Sequence, residues 1–277
     1  MNIRSFIQAK KKRRKLVMLT AYDAPTAELL QAQGVDIVLV GDSLGRVLLG
    51  YDSTVPVTMD EMLHHARAVR RGAKKSFIIG DLPLKGVEKG PRQTLESARR
   101  FLKEAGCQAV KLEWNKHCLQ SVRLLVKNRI PVMGHIGLTP QSAAREGGFK
   151  VRGQAAGKAL ELLKNARALE KTGAFAVLLE CVPAPVAKIV TRRLRVPTFG
   201  IGAGPDCDGQ VLVFHDVIGT FKRFKPRFVR HFMNGHALME KAVHRFIRDV
   251  RRGNFPSKKE SFRMKPEERR LFEEASR

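Results

Sequence analysis

The chain has 277 residues, 43% of them hydrophobic, and carries 52 Lys and Arg against 26 Asp and Glu, a formal charge of +26. That length and apolar content suit one large domain or two small ones with a sizeable core. No apolar run approaches the roughly 18–20 residues that cross a bilayer, which excludes a helical membrane span.

The chain starts with "MNIRSFIQAKKKRRK", basic throughout and not followed by the apolar segment and small-residue cleavage site of a secretory leader. Within it "KKKRRK" (10–15) has the charge density that a polyanion contact requires, but basic residues run along the whole chain and only two tyrosines and one tryptophan offer stacking platforms. A solvated basic surface explains the charge better than a nucleic-acid partner does.

Beyond residue 15, short apolar runs alternate with amphipathic stretches. The runs are "LVMLT" (16–20), "DIVLV" (36–40), "SFIIG" (76–80), "AVKLE" (109–113), "IPVMG" (130–134), "FAVLLE" (175–180), "VPTFGIG" (196–202) and "VLVFHD" (211–216). Between most of them, residues 24–33, 58–71, 91–105 and 157–173 place apolar side chains at three- and four-residue spacing, which predicts helices. "TMDE" (58–61) has the capping-box pattern that opens one of them. Alternation of this kind predicts parallel βαβ units, and eight strands fit a (β/α)8 TIM barrel. No G-x-G-x-x-G follows the first strand, which argues against a dinucleotide fold. "GIGAGPDCDGQ" (200–210) leaves little room for a helix before the last strand. Residues 227–253 read as one long helix or two. The expected organisation is a basic N-terminal segment (1–15), the barrel with C-terminal helices (16–255) and a tail (256–277). Four scattered cysteines without a C-x-x-C pair give neither a zinc site nor a disulfide framework and point to a cytoplasmic setting.

The strand tips carry the chemistry. Asp42, Asp81, Glu113, His135 and Glu180 all sit at or just past the C-terminal ends of predicted strands. In a parallel barrel those ends converge on the face where substrates bind. One such acid alone reads as readily as a helix cap. Several brought together repel one another unless a cation compensates, and an all-oxygen set suits Mg2+. Lys111 and Glu113, two apart in "AVKLE", point the same way, either as an ion pair filling the barrel or as part of a site.

Read together, "MLTAYDAPTAELL", "GVDIVLVGDSLGRVLLGYDSTVPVTMDEMLHHARAV", "VKLE", "IPVMGHIGLTPQS", "LLECVPAPVA" and "GIGAGPDCDGQVLVFHD" follow one another as in the ketopantoate (3-methyl-2-oxobutanoate) hydroxymethyltransferase family, which the chain resembles over about residues 15–260. The resemblance implies a barrel of the phosphoenolpyruvate/pyruvate type, assembled as a homo-oligomer, a decamer. It implies transfer of a hydroxymethyl group from 5,10-methylenetetrahydrofolate to 3-methyl-2-oxobutanoate, giving 2-dehydropantoate for pantothenate synthesis. By motif, Asp42, Asp81 and Glu113 match that family's magnesium site; Asp42, Ser43, Asp81 and Lys111 match its keto-acid contacts; His135 is a pocket residue; and Glu180 matches its proton acceptor. Three loops depart from the pattern: "DLPLKGV" (81–87) lacks a Phe and a Ser-Tyr pair, "KLEWN" (111–115) places Trp114 where small residues are usual, and "FPSKKESF" (255–262) lacks a His. Two alternatives remain at this level: a metal-dependent carbon–carbon lyase or mutase on a keto acid, and a basic nucleic-acid-binding protein on a retired enzyme scaffold.

Overall fold

Ile37–Val40 is buried along its whole length. Successive side chains of a strand face opposite ways, so a strand buried throughout must be covered on both faces, as in a parallel sheet wrapped by helices. The computed structural model, which describes residues 2–143 and 148–277, repeats this arrangement around a closed ring. Its elements run α1 (Ile3–Lys11), β1 (Leu16–Thr20), α2 (Ala24–Ala32), β2 (Ile37–Val40), α3 (Leu44–Val47), α4 (Met59–Gly72), β3 (Phe77–Asp81), α5 (Pro91–Ala105), β4 (Ala109–Glu113) and α6 (Cys118–Lys127). They continue with β5 (Val132–Gly137), α7 (Ala156–Thr172), β6 (Ala176–Glu180), α8 (Ala184–Arg193), β7 (Thr198–Ile201), β8 (Gly209–Leu212), α9 (Phe214–Ile218), α10 (Gly235–Arg251) and α11 (Pro266–Ala275). Each strand pairs in parallel with the next, and β8 returns to β1 to close the barrel. The expected (β/α)8 architecture is what the chain forms.

The alternation splits the core in two. Met18, Ile37, Leu39, Ile79, Met133, Leu178 and Phe199 fill the inside of the barrel. Val38, Val40, Ile78, Val110, Leu112, Val177 and Leu179 point outward and meet helix residues such as Leu63, Phe101 and Leu169. The helix α4 starts where its sequence says it should: Thr58 accepts from the Glu61 N–H, and the Glu61 carboxylate accepts in return from the Thr58 N–H at 2.7 Å.

The structure adds detail to three expectations. The basic N-terminal segment over 1–15 contains α1, which docks across the N-terminal ends of the strands. Phe6 is fully buried there, its ring 5.0 Å from that of Phe77 and 6.4 Å from that of Phe175. Lys10 bonds Asp208 at 2.7 Å, Arg14 bonds Asp36 at 3.0 Å and Lys15 donates to the Pro205 carbonyl at 2.9 Å. Half of the "KKKRRK" run is therefore consumed inside the molecule. The last strand begins two residues earlier than expected and ends at Leu212, and "FHDVI" turns into α9. The tail over 256–277 carries a helix, α11, exposed along its length. Among the described residues no helix is long and apolar enough to cross a membrane.

Candidate active site

Strand register brings the expected side chains together. Asp81 on β3 stands beside Lys111 on β4, Glu113 beside His135 on β5, and Gly137 beside Glu180 on β6. Asp81, Lys111, Glu113, His135 and Glu180 continue the inward-facing rows that hold Ile79, Ala109, Met133 and Leu178 below them, so they rise from the packed interior into the C-terminal mouth. Asp42 joins them from the turn after β2. Asp42, Asp81, Lys111, Glu113 and His135 are each at most 4% exposed.

The contacts form a chain. Lys111 Nζ donates to Asp81 Oδ1 at 2.5 Å and lies 3.9 Å from Glu113 Oε1. The Asp42 N–H donates to Asp81 Oδ2 at 3.2 Å. His135 stands between two acids, Nδ1 3.6 Å from Glu113 Oε1 and Nε2 3.3 Å from Glu180 Oε2, without a well-formed hydrogen bond to either. Burial pushes the Asp42 carboxyl well above the usual carboxylate range, reinforced by the charges of Asp81 and Glu113. Burial also raises Asp81, against the pull of Lys111. Burial works to raise Glu113 too, but His135, Lys111 and the Gln141 N–H outweigh it and hold that carboxyl low. For Lys111, burial is outweighed by the facing carboxylates of Asp81, Glu113 and Asp42, so its ammonium holds its proton more tightly than a free lysine. Burial and Lys111 lower His135, yet Glu113 and Glu180 win and bring it up to about 9.

Two residues that the motifs did not single out complete the mouth. Gln141 donates its side-chain amide to Asp42 Oδ2 at 2.8 Å and to the Leu82 carbonyl at 2.9 Å, while its backbone N–H donates to Glu113 Oε2 at 3.1 Å. Tyr22, 1% exposed, places its hydroxyl 2.8 Å from Ser43 Oγ. Neither carries a sequence signal of its own, because each acts across a large separation along the chain. Of "GIGAG" (200–204), only Ile201 lines the cavity; Gly200 lies within β7 and residues 202–204 belong to the β7–β8 connection.

The three carboxylates matched to a magnesium site do not draw into one compact cluster in this structure. Lys111 stands against Asp81 and Gln141 caps Asp42, and among the described residues no three His, Cys, Asp or Glu side chains draw close enough to hold a metal ion. The chemistry of the donors nevertheless fits a hard cation. Asp42 and Asp81 are adjacent buried oxygen donors whose carboxyls are raised, and Glu113 Oε1 is buried with no hydrogen-bond partner. Mg2+ is commonly held by only one or two carboxylates, with water and substrate completing the shell.

These groups open into a cavity of about 300 Å3, which also reaches Ser43, Arg46, Phe149, Phe221 and Phe228. A second cavity of about 600 Å3 lies behind Glu113 and Gln141, between Val87, Trp114 and His117. Two of the departing loops, around Leu84–Val87 and Trp114, therefore shape the second cavity and leave the acidic floor intact.

Over residues 1–258 the chain matches the sequence model of the family described as ketopantoate hydroxymethyltransferase. It belongs to that family. The 3-methyl-2-oxobutanoate hydroxymethyltransferase of Oleidesulfovibrio alaskensis is 52% identical over 270 residues, covering 97% of this chain and 93% of the relative. That of Thermus thermophilus is 52% identical over 260 residues, covering 94% and 98%. Among solved structures, a phosphonopyruvate hydrolase complex with oxalate and Mg2+ overlays with a TM-score of 0.60 at 14% identity, covering 93% of this chain and 92% of that one. A 2,3-dimethylmalate lyase of the PEP mutase/isocitrate lyase superfamily gives 0.58 at 15%, covering 99% and 98%. At those identities the two structures establish the shared barrel. The ketopantoate hydroxymethyltransferase family membership makes the chain an enzyme, a hydroxymethyltransferase.

Proposed function

We propose that this chain transfers a hydroxymethyl group from 5,10-methylenetetrahydrofolate to 3-methyl-2-oxobutanoate, forming 2-dehydropantoate for pantothenate synthesis. The observation that carries the reading is the convergence of Asp42, Asp81, Lys111, Glu113, His135 and Glu180 on one mouth of a barrel whose sequence belongs to that family.

Asp42 and Asp81 would hold Mg2+, with Glu113 beyond Lys111 adding negative charge to the same field. When bound, the cation supplies Lewis-acid polarisation of the keto oxygen. Lys111 binds the substrate carboxylate, and Ser43, held by Tyr22, donates its hydroxyl to the same group. Glu180 takes the C3 proton, and His135, its Nε2 3.3 Å from Glu180 Oε2, aims the carboxylate. The carbon so exposed forms a bond to the folate methylene. Both carbon–nitrogen bonds that hold the methylene in folate break, one as the carbon–carbon bond forms and the other as water supplies the hydroxyl oxygen, and the two nitrogens take the proton held on Glu180 and one proton from that water. Apolar walls keep bulk water from the exposed carbanion.

The chain is proposed to act as a homo-oligomer, a decamer by family resemblance. Helix α10 shows Leu238, Met239, Val243, Phe246, Ile247 and Val250 to solvent, each at least 40% exposed, an apolar stripe of the kind that marks a contact between protein surfaces. A cytoplasmic setting keeps the four free thiols reduced.

The test is turnover of purified protein with Mg2+, the keto acid and 5,10-methylenetetrahydrofolate, followed by mass spectrometry. Tetrahydrofolate and 2-dehydropantoate are expected to form together. Consumption of a keto acid without tetrahydrofolate release would instead make the chain a carbon–carbon lyase or mutase.

A further inference from the structure

The mouth of the barrel has two unlike sectors. From β2 round to β6 it is lined by acids, Lys111 and His135; across β7, β8 and the start of α9 it is lined by Ile201, Val211 and Val213, with Phe221 and Phe228 above. In that apolar sector stands one carboxylate, Asp216, 7% exposed and facing the cavity. Among the described residues no donor makes a hydrogen bond or ion pair with its side chain. Burial pushes its carboxyl above the usual carboxylate range, against the fields of His231 and Arg46, which favour the ionised form. A buried carboxylate with unfilled acceptor sites is costly to keep unless a ligand supplies the donors.

The keto acid is the wrong ligand for this position. Its carboxylate and keto oxygen are acceptors, which belong with Lys111 and Ser43 on the opposite sector, and a five-carbon acid leaves much of a cavity of about 300 Å3 unfilled. What fits is a flat heterocycle, sandwiched by aliphatic and phenyl groups, that offers two adjacent N–H donors to one carboxylate in a paired, bidentate hydrogen bond. We propose that Asp216 is the recognition residue for the co-substrate, accepting hydrogen bonds from the ring N–H and 2-amino group of the reduced pteridine. This rests on the folate-dependent reading above. It places the one-carbon donor on the β7–β8 side and leaves the keto acid over the acids of β2–β6, so that the methylene carbon approaches the substrate from across the mouth.

The experiment measures binding of tetrahydrofolate, and of an analogue lacking the 2-amino group, to the wild-type protein and to Asp216→Ala and Asp216→Asn by titration calorimetry. Wild type is expected to bind the analogue at least about tenfold more weakly than tetrahydrofolate, the loss of a charged hydrogen bond. Both variants are expected to bind tetrahydrofolate about as weakly as wild type binds the analogue, and to discriminate little between the two. Deuterium exchange at C3 of the keto acid, which uses no folate, is expected to fall far less than folate affinity, and it also reports whether the variants fold. Wild-type protein that binds both ligands equally overturns the assignment even if neither variant folds. A wild-type protein that binds no tetrahydrofolate overturns the assignment together with the folate-dependent reading, whereas equal binding of the two ligands overturns the assignment alone.

Discussion

Gln141 ties Asp42 to Glu113: one residue, from the loop after β5, donates its amide to the first at 2.8 Å and its backbone N–H to the second at 3.1 Å. An amide that orients a metal-binding carboxylate typically contributes ten- to a hundredfold to metal affinity. Gln141→Leu is therefore expected to raise the Mg2+ concentration for half-maximal activity by at least about tenfold. Much of the rate should return at high Mg2+. A rate that stays low at every Mg2+ concentration would assign Gln141 to the substrate.

Lys111 is the ammonium that faces Asp81, Glu113 and Asp42 at once. Lys111→Met leaves those buried carboxylates without it, a change of the kind that costs about 3–5 kcal/mol. Asp42 and Asp81 already have folded-state pKa values raised above 3.8. A raised carboxyl means that the folded state binds more protons, so stability falls as pH rises from the unfolded value through the folded one. Loss of Lys111 raises both further, and the deficit of the variant in urea unfolding is expected to be larger at pH 8 than at pH 5. Mg2+ should narrow the gap at pH 8.

Gly137 lies beside the proposed base. Its φ is +97° and a side-chain carbon there would collide with the Glu180 carbonyl oxygen. Gly137→Ala is expected to push the end of β6 aside and lower kcat by about 100-fold, since a displacement near 1 Å at a reacting group costs that much. Circular dichroism should show the barrel intact. Unchanged kcat would remove Glu180 from the reacting position.

At the other end of the barrel Phe6 is fully buried against Phe77 and Phe175. Phe6→Ala is expected to cost about 3–5 kcal/mol in denaturant unfolding. The KM for the keto acid should not move, because the cavity opens on the opposite face.

Much of this was legible beforehand. The run 16–20, the run 109–113 and the helix 91–105 match β1, β4 and α5 residue for residue, because strong apolar alternation and a Pro at the helix start leave the chain few options. Helix α6 was missed: its N-cap, His117, makes no side-chain capping bond, so nothing local announces it. Helix α8 is equally unannounced: Pro183 and Pro185 flank its first residue and no side chain caps its start. Asp216 escaped notice because "VLVFHD" looked like strand throughout, whereas only its first two residues pair. The acids at the strand tips were readable because barrel topology alone puts strand ends together. Lys111 against Asp81 and Gln141 across Asp42 depend on inter-strand register and on loop closure, which no local window contains.

The plug at the barrel floor also sets an order of events. Helix α1 leaves the ribosome before the strands it plugs, yet Phe6 has no socket until Phe175 has been made, and β1 lacks one of its two neighbours until Gly209–Leu212 emerges. Contacts so distant along the chain form late. That helix thus waits, greasy side out, while the strands it plugs are made, and a chain cut short before Gly209 leaves the ring unclosed.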